Sequence, residues 1–220
     1  MAKHHYVPAT YLAGFSNNLN KKRRRASLVW VGDKRDKRIF QTSVESICAI
    51  NDYYKLPKYT KDPDIQEKTW GGYEGKLADC IDAMITHRLT ARDWIRVMVP
   101  FVTSMIIRTE SFIRRFNDYI PKDFLDSSGL NQEDNTASAR IMELQRLLPS
   151  VIVAEWTVIP AKQELITNDD PIIPMYHVHH KGYGFGIPLT KHNYLGVVPS
   201  SKYEVFAVEK NFSLKPNIKY

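Results

Sequence analysis

Apolar positions along the chain follow two different periods, and the switch between them separates a helical middle from strand-like flanks. Up to Phe15 the alternation is loose. Asn17, Asn18 and Asn20 then lead into Lys21–Arg25, an exposed loop. Ser27–Val31 and Arg38–Thr42 are short β-type runs either side of Gly32–Lys37, which has turn chemistry, so a β-hairpin with a solvated, charged tip is predicted. From about Asp64 to Leu89 the spacing is helical, with Trp70, Leu77, Ile81 and Met84 on one stripe. Gly71, Gly72 and Gly75 weaken that helix and make its first part a candidate loop. Thr90 and Asp93 read as a capping box with a shortened acid. A long helical period follows through Trp94, Met98, Phe101, Met105, Phe112 and Phe116, kinked at Pro100 and closed by Pro121. Asp126–Asn135 reads as a loop and Thr136–Leu148 as a third helix. After Pro149, strands are predicted at Val151–Ala154, Trp156–Ile159, Glu164–Thr167, Gly182–Leu189, Tyr194–Val198 and Glu204–Val208. The order is an N-terminal β-hairpin, two to three helices and C-terminal antiparallel strands. That is an α+β fold, not alternating βαβ units. No internal repeat is visible, and residues 1–220 are read as a single domain.

Composition adds a bias toward particular partners. The net charge is +7, part of it concentrated in Lys21, Lys22, Arg23, Arg24 and Arg25. A basic balance favours polyanions, so nucleic acid is the expected partner; a solvated loop is the plain alternative for the run itself. Two isolated cysteines, Cys48 and Cys80, give neither a disulfide framework nor a CxxC metal pair. The N-terminus has no apolar signal-peptide core, and no stretch nears the ~20 apolar residues of a membrane span. The expectation is a cytoplasmic protein with no membrane association.

The familiar motifs are missing: no GxGxxG, P-loop, GxSxG, HExxH or paired CxxC. Candidate chemistry rests on polar residues that interrupt apolar patterns. His4 and His5 run directly into Tyr6-Val7-Pro8, and histidine is the usual base near neutral pH. Glu74 lies on the Trp70–Leu77–Ile81 stripe, where a buried carboxylate must be paired. Arg108 flanks the apolar face of the long helix. There it can grip a phosphate or carboxylate, or form a structural salt bridge to Glu74 or an Asp. Thr167-Asn168-Asp169-Asp170-Pro171 is a proline-fixed turn able to present Asp169 and Asp170 to a divalent metal, Mg or Mn. His177 and His179 would share one face of a strand, which is metal-ligand geometry, unless the stretch is a loop.

Several short blocks, taken in order, resemble one uncharacterised family, domain-of-unknown-function family 4238. They are His4-His5-Tyr6-Val7-Pro8 with Tyr11-Leu12 and Phe15, Ala49–Tyr54, Glu67 with Tyr73-Glu74-Gly75, Ile107-Arg108-Thr109, Ile166–Pro171 and Pro188-Leu189-Thr190. Asn168 stands where the family usually has Ser, and the family's further C-terminal helix has no counterpart before Tyr220. The resemblance implies no activity. It supports His5, Glu74, Arg108 and Asp169 as site residues and gives no support to His177 and His179.

Together these residues suggest a phosphodiester hydrolase, RNA ahead of DNA, of the kind found among toxins and phage-defence effectors. Histidine would act as base, the carboxylates would orient it or hold the metal, and Arg108 would stabilise developing charge. The alternative is a non-enzymatic module that binds nucleic acid or protein, in which His, Glu, Arg and Asp form a structural polar network. Open solvent at the cluster would favour the enzyme; burial with mutual satisfaction would favour the binding module.

Overall fold

The structure is a computed structural model that describes residues 3–20, 22–56, 61–119, 132–177, 182–198, 200 and 218–219. Strand β1 (Lys3–His5) leads through Pro8 into a single helical turn, α1 (Ala9–Leu12). Strands β2 (Leu28–Asp33) and β3 (Arg38–Ser43) form the expected hairpin. Its tip is shaped locally: the Asp33 carboxylate accepts the backbone N–H groups of Arg35 and Asp36 at 2.9 and 3.2 Å, an Asx turn. Strand β4 (Ala49–Asn51) pairs antiparallel with β1. Neither three-residue strand is long enough to show a period in the sequence.

Helix α2 (Ile65–Ile85) buries Trp70, Tyr73, Glu74, Leu77, Ile81 and Met84. Its first part was the candidate loop, but the helix runs straight through Gly71, Gly72 and Gly75. Each glycine costs about 1 kcal/mol relative to alanine, and burying Trp70 and Tyr73 on the opposite side offsets it. All three glycines face solvent, and a Cβ at any of them would meet nothing within 4 Å. Gly72→Ala is therefore expected to stabilise the protein by about 0.5–1 kcal/mol, a rise in Tm of about 1–4 °C for a chain of this size. Calorimetry showing no rise would mean that this turn of helix is not formed in solution.

Of the capping box expected at Thr90 the N-cap half forms: the hydroxyl oxygen accepts the Asp93 N–H at 3.1 Å, and the shortened acid takes the Thr90 hydroxyl at 2.8 Å instead of its backbone N–H. It opens α3 (Ala91–Asp93), which widens into a π-turn over Trp94–Met98 before α4 (Val99–Ile107). Pro100 explains the π-turn. It has no N–H to donate and its ring would strike the Arg96 carbonyl, so widening the turn relieves the clash. Helix α5 (Glu110–Tyr119) follows, then α6 (Gln132–Val153), which packs on α4.

Two strand expectations are corrected. Val151–Val153 close α6, which continues through Pro149. Val151 is buried and its carbonyl accepts the Trp156 indole N–H at 3.0 Å, so tertiary contacts hold the last turn. Glu164–Thr167 forms no strand. Leu165 and Thr167 are only half-buried and Ile166 is 87% exposed; single bonds from Ala161 to the His192 carbonyl and from Leu165 to the Lys191 carbonyl hold the segment in place of a ladder.

The C-terminal sheet contains β5 (Glu155–Pro160), β6 (Ile173–His177), β7 (Gly182–Pro188), β8 (Asn193–Val198) and β9 (Ile218–Lys219), in the order β6-β7-β8-β5-β9. All pairings are antiparallel as expected except β5–β9, which is parallel. The expected strand at Glu204–Val208 lies outside the described residues. Trp94 meets Trp156 edge-on at 5.8 Å, joining the helices to the sheet. The N-terminal segment is part of the same core: Val7, Ala9, Tyr11, Leu12 and Ala13 are all buried. Among the described residues, no helix is long and apolar enough to cross a membrane.

Candidate functional site

Arg108 caps α4 one turn beyond Ser104, whose carbonyl accepts its N–H at 2.9 Å. Its neighbours on the inner side are Phe101 and Met105, so the side chain has nowhere to go but the core, where it is fully buried. Each guanidinium nitrogen finds an acceptor. Nη1 donates to Glu74 Oε1 at 2.6 Å and to the Tyr73 hydroxyl at 2.8 Å. Nε donates to the Tyr54 hydroxyl at 3.1 Å, and Nη2 donates to the His5 carbonyl. The guanidinium also lies over the Tyr54 and Trp70 rings at 5.4 and 5.3 Å. Burial opposes its charge, but Tyr54, Tyr73 and Glu74 outweigh that cost and hold it protonated. The relay has a direction. Ser104 Oγ donates to the Phe101 carbonyl at 2.8 Å, so at its 2.5 Å contact with Tyr73 the phenol must be the donor. Burial pushes the Tyr73 hydroxyl up to about 12, which keeps its proton in place at neutral pH.

Both histidines lie against this network. His5 is buried, and its Nε2 faces the Glu45 carbonyl at 3.2 Å. A carbonyl only accepts, so Nε2 carries the proton. Burial, then the positive charge of Arg25, lower the pKa of His5 and favour a neutral ring. His4 stacks on Tyr54 at 5.7 Å, and its Nδ1 accepts the Tyr54 N–H at 3.0 Å. That fixes the neutral tautomer with the proton on Nε2, which is buried without a partner. Glu67 Oε2 is likewise buried and unpartnered. Burial raises the Glu67 pKa, Glu74 adds to the rise, and Arg108 and His4 oppose it.

Asp169 belongs to a different place. It lines an open cleft of 880 Å³ between the β2–β3 hairpin and the 164–169 segment, together with Tyr6, Cys48, Thr167 and Lys191. Asp169 is exposed and Asp170 half-buried. The turn is anchored from below: Tyr11 donates to the Pro188 carbonyl at 2.7 Å, so Thr167 is the donor in its 2.9 Å bond to the Tyr11 hydroxyl. Asn168 Oδ1 accepts the Asp170 N–H at 3.1 Å. Cys48 adopts φ 51°, and burial followed by the Asp169 charge push its thiol up to about 12, which favours the protonated form at neutral pH.

The structure thus gathers His4, His5, Glu74 and Arg108 into one buried cluster, while Asp169 faces a cleft whose lining does not include His5. Among the described residues, no group of three or more His, Cys, Asp or Glu side chains is placed to cage a metal. Asp169 and Asp170 alone would hold Mg or Mn only with waters or phosphate oxygens completing the shell. In the basic run, Arg24 pairs with Asp82 at 3.2 Å, Lys22, Arg23 and Arg25 are exposed, and Lys21 lies outside the described residues. Strand β6 ends at His177, and His179 lies outside the described residues. Sequence reasoning missed Arg140. It is buried on α6, its guanidinium 4.6 and 4.9 Å from the Tyr53 and Tyr54 ring centres. The missed signal was a long cation three residues from the Ala137 side of a helix whose apolar period is weak.

Comparison with known proteins adds one finding. Residues 3–152 match the family described as Protein of unknown function (DUF4238). No curated protein and no solved structure matches the chain.

Proposed function

This chain belongs to the DUF4238 family, and from that premise we propose that it is a nucleic-acid-binding module for single strands, its His4–His5–Glu74–Arg108 cluster being a structural polar network. One observation carries the reading: Trp30 is 63% exposed on the outer face of the β2–β3 hairpin while Trp70, Trp94 and Trp156 are buried. Leu28 and Ile39 share that face, at 44% and 77% exposure. Lys34, Arg35 and Lys37 crown the hairpin, and Lys22, Arg23 and Arg25 precede it in sequence. An exposed indole among cations is the combination that stacks bases and holds phosphates without reading sequence. The burial and mutual satisfaction of Arg108 and Glu74 support the structural role of the network.

The test is anisotropy of a labelled single-stranded RNA or DNA oligonucleotide. Trp30→Ala is expected to weaken binding about tenfold or more, and binding by the parent should quench the one exposed tryptophan. Replacing Lys21–Arg25 by Gln and Ser is expected to flatten the salt dependence. An affinity unchanged by Trp30→Ala would end the proposal.

A second reading, phosphodiester hydrolysis with RNA ahead of DNA, is favoured by the unpartnered His4 Nε2 and Glu67 Oε2 beside Arg108. In that reading the protein is a toxin or phage-defence effector, with Asp169 and Asp170 holding Mg or Mn. The same oligonucleotide, incubated with either ion and resolved on a gel, discriminates. Cleavage lost in both His5→Ala and Asp169→Asn would make the protein a nuclease; an intact oligonucleotide leaves it a binder.

A further inference from the structure

Two buried arginines, Arg108 and Arg140, lie 5.4 and 4.9 Å from the Tyr54 ring centre, and they differ in one respect. Arg108 has Glu74. Arg140 is only 3% exposed, yet no ion pair joins it to a carboxylate among the described residues. Its Nε donates to the Ile107 carbonyl at 3.3 Å, at the end of α4, and its Nη2 has no hydrogen-bond partner. A buried charge without a counter-ion is costly, and so is a buried donor without an acceptor. Gln66, in the first turn of α2, repeats the pattern more strongly: it is 5% exposed, and both its amide oxygen and its amide nitrogen are unpartnered.

These two side chains line the same cavity, a pocket of 290 Å³ between the β4–α2 connection and α6, with Asn51, Lys55 and Tyr53 also on its wall. Lys55 is engaged by Asp52 at 3.6 Å, so the charge left over in the pocket is that of Arg140. The Tyr53 hydroxyl lies near Arg140 but makes no hydrogen bond of good geometry, and Glu110 adds a more distant negative charge at Tyr53. The volume suits a ligand a few times the size of a phosphate, not a polymer.

We infer that this pocket is a binding site for a small oxyanion, phosphate or carboxylate, held by Arg140 Nη2 and the Gln66 amide. The guanidinium supplies charge and a directed donor; Gln66 Nε2 donates a second hydrogen bond, and Gln66 Oε1 accepts from a hydroxyl on the ligand or from a protonated oxyanion. Tyr53 and Tyr54 give the guanidinium a rigid stacking surface, so the donor is already aimed before the ligand arrives. The site is separate from the hairpin face and does not depend on nucleic-acid binding.

The experiment is thermal unfolding of the full chain titrated with inorganic phosphate and, separately, with acetate, against sodium chloride at matched ionic strength. Phosphate or acetate at about a hundred times its dissociation constant is expected to raise Tm by about 5 °C or more over chloride. Gln66→Leu is the key variant. Its amide has no partner, so the leucine chain should fold at least as well without ligand, yet the oxyanion shift should fall to that of a site weakened about tenfold. Arg140→Lys keeps the charge, loses the fork and should lose the shift similarly; if it fails to fold, Gln66→Leu decides alone. A shift with phosphate only identifies a phosphorylated ligand, one with acetate only a carboxylate. No shift beyond chloride, or an undiminished shift in Gln66→Leu, overturns the inference.

Discussion

Arg108→Ala is expected to leave the protein without a stable native state. Breaking a buried ion pair by removing one partner costs about 3–5 kcal/mol, because the other charge stays behind. Here the loss is wider than the pair: the Tyr54 hydroxyl, the Tyr73 hydroxyl and the His5 carbonyl lose the same donor group. Against a total stability of about 5–15 kcal/mol for an ordinary domain, that is most of the margin. Urea unfolding followed by tryptophan fluorescence should show the midpoint collapse. Arg108→Met with Glu74→Leu should recover part of it, since an apolar pair can replace a buried ion pair. The recovery is partial because the His5 carbonyl remains without a donor. A chain that melts like the parent but cleaves no RNA, where the parent does, would make Arg108 catalytic instead of structural.

The second large effect lies at the N-terminus. Removal of residues 1–15 is expected to abolish cooperative folding. Val7, Tyr11 and Leu12 are at most 4% exposed, and each buried side chain of this size contributes about 1.5–3 kcal/mol. The cut also removes the His5 carbonyl from Arg108 and the Tyr11 hydroxyl that holds Thr167 and Pro188. A truncated chain with an unchanged melting temperature would show that these contacts are dispensable.

How much of this was legible in the sequence varies with the kind of signal. Glu74 and Arg108 showed themselves because each interrupts an apolar period; that buried charges need partners made a bridge to Glu74 one alternative for Arg108, beside an Asp or a bound anion, and the structure selects it. The hairpin was legible from two β-type runs around a six-residue turn. The strands β1 and β4 were not, because three residues carry no period. The end of α6 was misread because Pro149 is a strong local stop signal, while the burial of Val151 and the Trp156 indole bond are tertiary facts. The side to which the His5 imidazole turns, toward the Glu45 carbonyl, depends on the pairing of β1 with β4. Arg140 was harder to see because the apolar period of α6 is weak, and what makes it unusual, burial with no ion pair among the described residues, is a tertiary fact.

The bonds that fasten Tyr11 span 156 and 177 positions, and the bond from Arg108 to the His5 carbonyl spans 103. On a ribosome this reverses the usual advantage of being made first. The N-terminal segment emerges with Val7, Tyr11 and Leu12 ready to be buried, but the carbonyl of Pro188 follows about ten to thirty-five seconds later at ordinary rates of elongation. Through that interval β4 and α2 already offer the opening residues part of their native surface, but the Tyr11 hydroxyl lacks both of its partners. The Tyr11 anchor therefore forms late: the segment can dock on β4 and α2 first, and its hydroxyl is fastened to Thr167 and Pro188 only after most of the chain has been made.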